Sequence, residues 1–164
     1  MHKTTIDVSI ECNEWYLVSS EIVEICKTTI LTVLNSKLGT IISPSGEISI
    51  LLTTDEKMTY LNQCYRGENK PTNVLSFTNG LKTANDIPAF LGDIAIGYSI
   101  ALEESIKAGI SLTDHTRHLL IHGCLHILGF DHENDTEAKE MENMEITILK
   151  NLGIDNPYRT LLPI

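Results

Sequence analysis

The sequence predicts a single-domain α/β (α+β) fold over residues 1–164, a mixed four-stranded sheet covered by about five helices. Short runs of alternating or β-branched residues mark the strands, and longer runs with apolar residues three and four apart mark the helices. In chain order these runs read βαβαββααα, and no repeat, linker or low-complexity stretch divides them. At 164 residues the chain has the length of one ordinary domain and can bury a full core without staples.

Residues 4–10, T-T-I-D-V-S-I, alternate apolar and polar and predict a half-buried strand, with Cys12 to Tyr16 as the turn out of it. From about Ser20 to Lys37, residues Ile22, Val23, Ile25, Cys26, Ile30, Val33, Leu34 and Leu38 recur at helical spacing, and Gly39 supplies a stop. Many of these are β-branched, so burial rather than intrinsic propensity must hold that helix. Pro44-Ser45-Gly46 is a turn, and E-I-S-I-L-L at 47–52 is a second strand. Thr53 precedes Glu56 by three, a capping box for a helix from about Thr54 to Tyr65 that closes near Arg66-Gly67.

N-V-L-S-F at 73–77 is an apolar run suited to a central strand. The second and third strands, separated by a helix, suit a parallel right-handed crossover. Residues 78–90 form a polar loop, either a flap over a cleft or a variable connection. L-G-D-I-A-I-G at 91–97 is the fourth strand, in which Asp93 is either solvated or buried against a histidine or the strand edge. A helix follows from about Ser99 to Lys107 and closes at Gly109. Thr113 or Asp114 caps the next, at 114–128, with Leu119, Leu120 and Ile127 inward. Asn134 and Glu137 form another box for a last helix to about Leu152, whose Glu137, Glu140, Glu142 and Glu145 read as a solvated acidic face.

The composition, 42% hydrophobic and 21% charged, is that of a globular chain. No apolar run approaches the ~20 residues of a membrane span, and M-H-K-T-T-I-D-V has no signal-peptide pattern, so a cytoplasmic protein with no membrane role is expected. The four cysteines, at 12, 26, 64 and 124, form no C-x-x-C pair and read as reduced packing residues. A net charge of −10 argues against general nucleic-acid affinity, which comes from Lys and Arg neutralising phosphates. Any RNA should therefore approach from the side of Lys57, Arg66, Lys70 and Lys82.

Chemistry concentrates at residues 118–132, H-L-L-I-H-G-C-L-H-I-L-G-F-D-H, which hold four of the six histidines. His122 and His126, four apart on a helix, sit ~40° apart around the axis and ~6 Å apart along it, so both can grip one cation. Gly129 can end the helix in a left-handed turn and return the chain to His132, a third ligand. This H-x3-H-x2-G-x2-H spacing is metzincin-like, although Gly123 stands where the zinc proteases carry a glutamate base. Three imidazoles without a thiolate suit a catalytic site with an open position, taking one Zn2+ per chain. Other divalent transition metals such as Ni, Cu and Fe suit the same ligands. Such an ion keeps its full charge and can act on an anionic phosphodiester. His118 lies too far along the helix to share the ion and should hydrogen-bond or pack beside it. Asp131 can orient a ligand ring or form an Asx turn, and Cys124 should face away from the metal.

H-G-C-L-H-I-L-G-F-D-H resembles the H-G-x-L-H-L-x-G-[FY]-D-H signature of the YbeY family of bacterial metallo-endoribonucleases. N-Q-C-Y-R-G-E-N-K-P-T-N-V-L-S-F at 62–77 and L-G-D-I-A-I at 91–96 are similar to two further segments of that family, so the likeness covers nearly the whole chain. It implies a single-strand-specific zinc endoribonuclease acting in 16S rRNA 3′-end maturation and ribosome quality control. It also implies contacts with rRNA, small-subunit ribosomal proteins and the GTPase Era. By itself Arg66 reads as a surface charge compensating a helix dipole. The resemblance makes it a phosphate-binding residue, so Arg66 and the ligand His122 are the candidate catalytic residues and His122, His126 and His132 the candidate metal ligands. The general base stays open between bulk hydroxide, a hydroxide on the ion and an activated ribose 2′-OH. Two other readings remain: a zinc peptidase-like hydrolase, and a non-catalytic ribosome-assembly factor with a structural metal.

Overall fold

Thr4–Ile10 form strand β1, whose strict alternation turns Ile6, Val8 and Ile10 toward the core and Thr5, Asp7 and Ser9 to solvent. The computed structural model describes residues 4–36, 46–79 and 90–159. Within them β1 is followed by α1 (Trp15–Val18), α2 (Ile22–Leu34), β2 (Gly46–Thr53) and α3 (Asp55–Arg66). Then come β3 (Val74–Thr78), β4 (Phe90–Gly97), α4 (Tyr98–Ala108), α5 (Leu112–Ile127) and α6 (Asp135–Asn151). The expected single domain with a mixed four-stranded sheet is present, and the extra helix α1 replaces the expected turn at Cys12–Tyr16. One buried side chain explains α1: Trp15 is fully enclosed and donates its indole N–H to the Thr53 carbonyl at 3.1 Å.

The sheet order is β1-β2-β4-β3, with β1-β2 and β2-β4 parallel and β4-β3 antiparallel. Two expectations are thereby corrected. β3 is neither parallel to β2 nor its neighbour, because β4 takes the place between them. Nor is β3 central: it forms the sheet edge. Its apolar run comes from cover on both faces, since Leu75 and Phe77 pack with Met58 of α3 while Val74 joins the main core on the other side.

That main core is built from α2, β2, β4, α5 and α6, including Ile30, Ile50, Ile94, Leu120 and Leu149. Each such side chain contributes about 1.5–3 kcal/mol when withdrawn from water. Cys26 and Cys124 pack there, whereas Cys64 lies exposed on α3, against the expectation that all four cysteines are packing residues. Helix starts shift by one or two residues from the sequence reading. Thr54, not Thr53, caps α3 by accepting from Lys57 N at 3.2 Å, because Thr53 ends β2 and donates its hydroxyl to Glu11. Ser111, rather than Thr113 or Asp114, caps α5 by accepting from Asp114 N at 3.1 Å. Asn134 caps α6 as expected. Gly39, Pro44-Ser45, Lys82 and the body of the 78–90 loop lie outside the described residues.

Helix α5 seats very closely on the sheet at two glycines. A Cβ on Gly123 would lie 3.0 Å from Ile94 Cγ2, and one on Gly92 of β4 would lie 2.4 Å from the Phe77 carbonyl and 2.9 Å from Ile127 Cγ1. Backbone cannot yield as a flexible side chain can. Gly92→Ala should therefore destabilise the protein by about 1–3 kcal/mol or more, measured as a lower urea midpoint with unchanged slope. Wild-type stability in that variant would show the approach is not limiting.

Candidate metal centre

Their i, i+4 spacing puts His122 and His126 on one side of α5, with ring centroids 4.6 Å apart and Nε2 atoms 3.1 Å apart. The helix then ends in a Schellman turn: Gly129 has φ 102° and donates to the His126 carbonyl, and Phe130 N donates to the Leu125 carbonyl. Phe130 packs on the main core and anchors the return. His132 is thus carried back to ring-centroid distances of 5.6 Å from His122 and 5.0 Å from His126. One ring nitrogen from each histidine lies within 4.8 Å of the other two.

A tetrahedral zinc site with bonds of about 2.0–2.1 Å separates its nitrogen ligands by roughly 3.3 Å. The helical pair already stands near that spacing and the third ring is within reach, so this donor set fits one divalent ion of borderline softness. The pKa of His126 is lowered, first by burial and then by His122 and His132. That favours the neutral imidazole, the form that binds a cation.

Carboxylates stand behind the helical pair. Asp131 Oδ1 accepts from the adjacent His132 backbone N–H at 2.8 Å, one residue short of the i+2 bond that defines an Asx turn, and lies 4.0 Å from His126 Nδ1, beside a ligand ring. Behind His122 stands a residue that the sequence reading left in solvent. Glu145 is 1% exposed, and its Oε1 accepts from His118 Nε2 at 2.6 Å and the Tyr158 hydroxyl at 2.9 Å, while facing His122 Nδ1 at 3.5 Å. Burial raises its pKa, but the hydrogen bonds and charges of His118 and His122 together outweigh that and hold it at about 2. The signal was in the sequence: Met141, Glu145, Ile148 and Leu149 form the inward stripe of α6, and Glu145 occupies an apolar position of it. His118 accordingly sits beside the cluster and bonds to its neighbour. Tyr158, held by an Asx turn on Asn156, carried no such signal.

Arg66 comes to the same place from the far side of the sheet edge. It is exposed, ends α3 before the left-handed Gly67, and lines a cleft of about 410 Å³ with Ser76, Thr78, His126, Phe130 and His132. Asn62, one turn earlier and 2% exposed, donates to the Lys70 carbonyl at 2.9 Å and fixes the loop that follows. The start of β3 is pinned by Asn73, which donates to Glu104 at 3.0 Å, and Glu104 in turn meets His115 Nε2 at 2.8 Å. Asp93 takes neither expected place: it is half-buried on the α3 side of the sheet, and its pKa is raised by burial and then by Glu47. Among the described residues, no helix is long and apolar enough to cross a membrane.

The family model described as Endoribonuclease YbeY matches residues 9–153. An Endoribonuclease YbeY of Colwellia psychrerythraea is 41% identical over 155 residues, which is 93% of this chain and 96% of that one. One of Methylocella silvestris is 38% identical over 157 residues, 96% of this chain and 87% of that one. The solution structure of a Thermotoga maritima protein shares the fold, with TM-score 0.60 and 23% identity over 90% of this chain and 89% of its own.

The buried carboxylate makes its own prediction. Glu145→Ala leaves His118 and Tyr158 facing an uncompensated gap and should lower stability by about 3–5 kcal/mol, read by urea unfolding with a chelator present. Glu145→Gln, which keeps an acceptor, should lose less. Equal stability of both variants and wild type would mean that the network does not bear on the fold.

Proposed function

Because the chain belongs to the Endoribonuclease YbeY family, we propose that it is a zinc-dependent, single-strand-specific endoribonuclease. In this reading it acts in the cytoplasm on the 3′ end of 16S rRNA and in late ribosome quality control. Small-subunit ribosomal proteins and the GTPase Era are its proposed partners there. One observation carries the reading: His122, His126 and His132 form one nitrogen-only donor cluster, and two of its members, His126 and His132, line the same cleft as Arg66, whose fork suits a phosphate.

His122, His126 and His132 would hold the ion through ring nitrogens, in their neutral form. When bound, zinc supplies Lewis acidity, acidifying water and polarising a phosphoryl oxygen. Arg66 binds the scissile or adjacent phosphate bidentately and stabilises charge that develops on it. Glu145, facing His122 Nδ1 at 3.5 Å, favours the tautomer that leaves Nε2 of that ring free for the cation, and the Asp131 carboxylate adds negative charge near His126. The peptidase alternative is disfavoured by packing as well as by sequence. Gly123 sits against Ile94, so the position that carries a glutamate base in zinc proteases faces the sheet.

The reading is tested by cleavage of a single-stranded rRNA 3′-end substrate, with metal content measured in each preparation. His126→Ala should lose both metal and cleavage. Arg66→Ala should keep the metal while cleavage falls by roughly 10²–10³-fold. Equal cleavage by wild type and both variants would overturn the nuclease reading and favour an assembly factor whose metal is structural.

A further inference from the structure

The inward stripe of α3 runs Met58, Leu61, Tyr65 at helical spacing. Met58 is fully buried and Leu61 half-buried against the sheet, but the last turn of the helix outruns its cover. Tyr65 is therefore 67% exposed and leans on Phe77 of β3, with ring centroids 4.8 Å apart and a 50° tilt. Phe77 is itself half-buried in the small core of Met58, Leu75 and Ala95, so Tyr65 rests on a fixed aromatic base.

Position gives this shelf its meaning. Side chains alternate along a strand, so Phe77 faces α3 while its neighbours Ser76 and Thr78 line the histidine cleft on the other side of the edge strand. Tyr65 precedes Arg66, which lines that cleft. Between residues 57 and 78 the chain carries Lys57, Arg66 and Lys70 against the single acid Glu68, in a protein of net charge −10. Lys70 pairs with Glu68 at 3.4 Å and Lys57 lies over the Tyr60 ring, so Arg66, next to the shelf and lining the cleft, is what suits a phosphate there, and the exposed ring suits a flat apolar group.

We propose that Tyr65, seated on Phe77, is a base-stacking platform for single-stranded RNA, receiving an unpaired base of the strand whose phosphate is held at Arg66. This rests on the nuclease reading and names a subsite for it. Stacking on an aromatic face is sequence-tolerant and demands a base that is out of its duplex. The platform therefore selects single strands without hydrogen-bond readout. It also adds affinity that the protein's overall charge does not provide.

The test is fluorescence anisotropy of a short 2′-O-methyl oligouridylate, and of the same backbone with abasic sites, on metal-loaded wild type, Tyr65→Ala and Tyr65→Phe. Tyr65→Ala should weaken the base-bearing oligomer by about 5- to 30-fold, while Tyr65→Phe stays within about twofold of wild type. The abasic chain should bind all three proteins alike. Tyr65 is exposed, so unchanged melting temperatures will verify that the variants fold. Base-bearing RNA bound equally by Tyr65→Ala and wild type, in a protein that cleaves RNA, would overturn the platform alone and point to a protein partner for the shelf. A metal-loaded wild type that neither binds nor cleaves RNA would overturn the nuclease reading, and the platform with it.

Discussion

Everything in the site depends on how closely α5 can lie on the sheet. A helix normally stands off a strand by the thickness of the side chains between them, but at Gly123 and Gly92 there is none, and Ile94 and Ile127 fill the gap. That seating decides the depth at which His122 and His126 emerge. It also places the end of α5 beside the edge strand, where the Thr78 hydroxyl donates to the Ile127 carbonyl at 3.3 Å. The cleft is the space left over when a helix is pressed this hard against an edge.

What could be read from the sequence was what local geometry determines. The histidine spacing, the left-handed Gly129 and the caps at Gly67, Gly109 and Asn134 each involve residues within one turn of one another, so pattern and structure agree. The place of β3 could not be read that way, because an apolar run reports burial on both faces and not the number of strand neighbours. Glu145 failed for a related reason. Its partners His118 and Tyr158 lie 27 and 13 residues away, and a glutamate among other glutamates looks solvated until the stripe it interrupts is counted. Arg66 was found through the likeness of its segment to a known family; by itself it was one more charge at a helix end.

The electrostatics of the molecule follow the same division. Acidic residues are spread over most of the chain, and α6 alone carries Glu137, Glu140, Glu142 and Glu145. Yet Glu145 points inward, where His118 and Tyr158 hydrogen-bond to it, while Arg66 at the end of α3 stands at the cleft edge. Net charge is a poor guide to such a surface, because a polyanion meets the local field of a cleft within a Debye length of about 10 Å.

The tie between Glu145 and Tyr158 also sets an order in time. The histidines belong to residues 122–132, but the carboxylate that steadies one of them arrives on α6 and the tyrosine that completes its hydrogen bonds arrives later still, at residue 158. During synthesis the three imidazoles emerge before the groups that orient them. The centre is therefore finished only once residue 158 has left the ribosome, and a shorter nascent chain carries its histidines without the framework that would hold them ready for an ion.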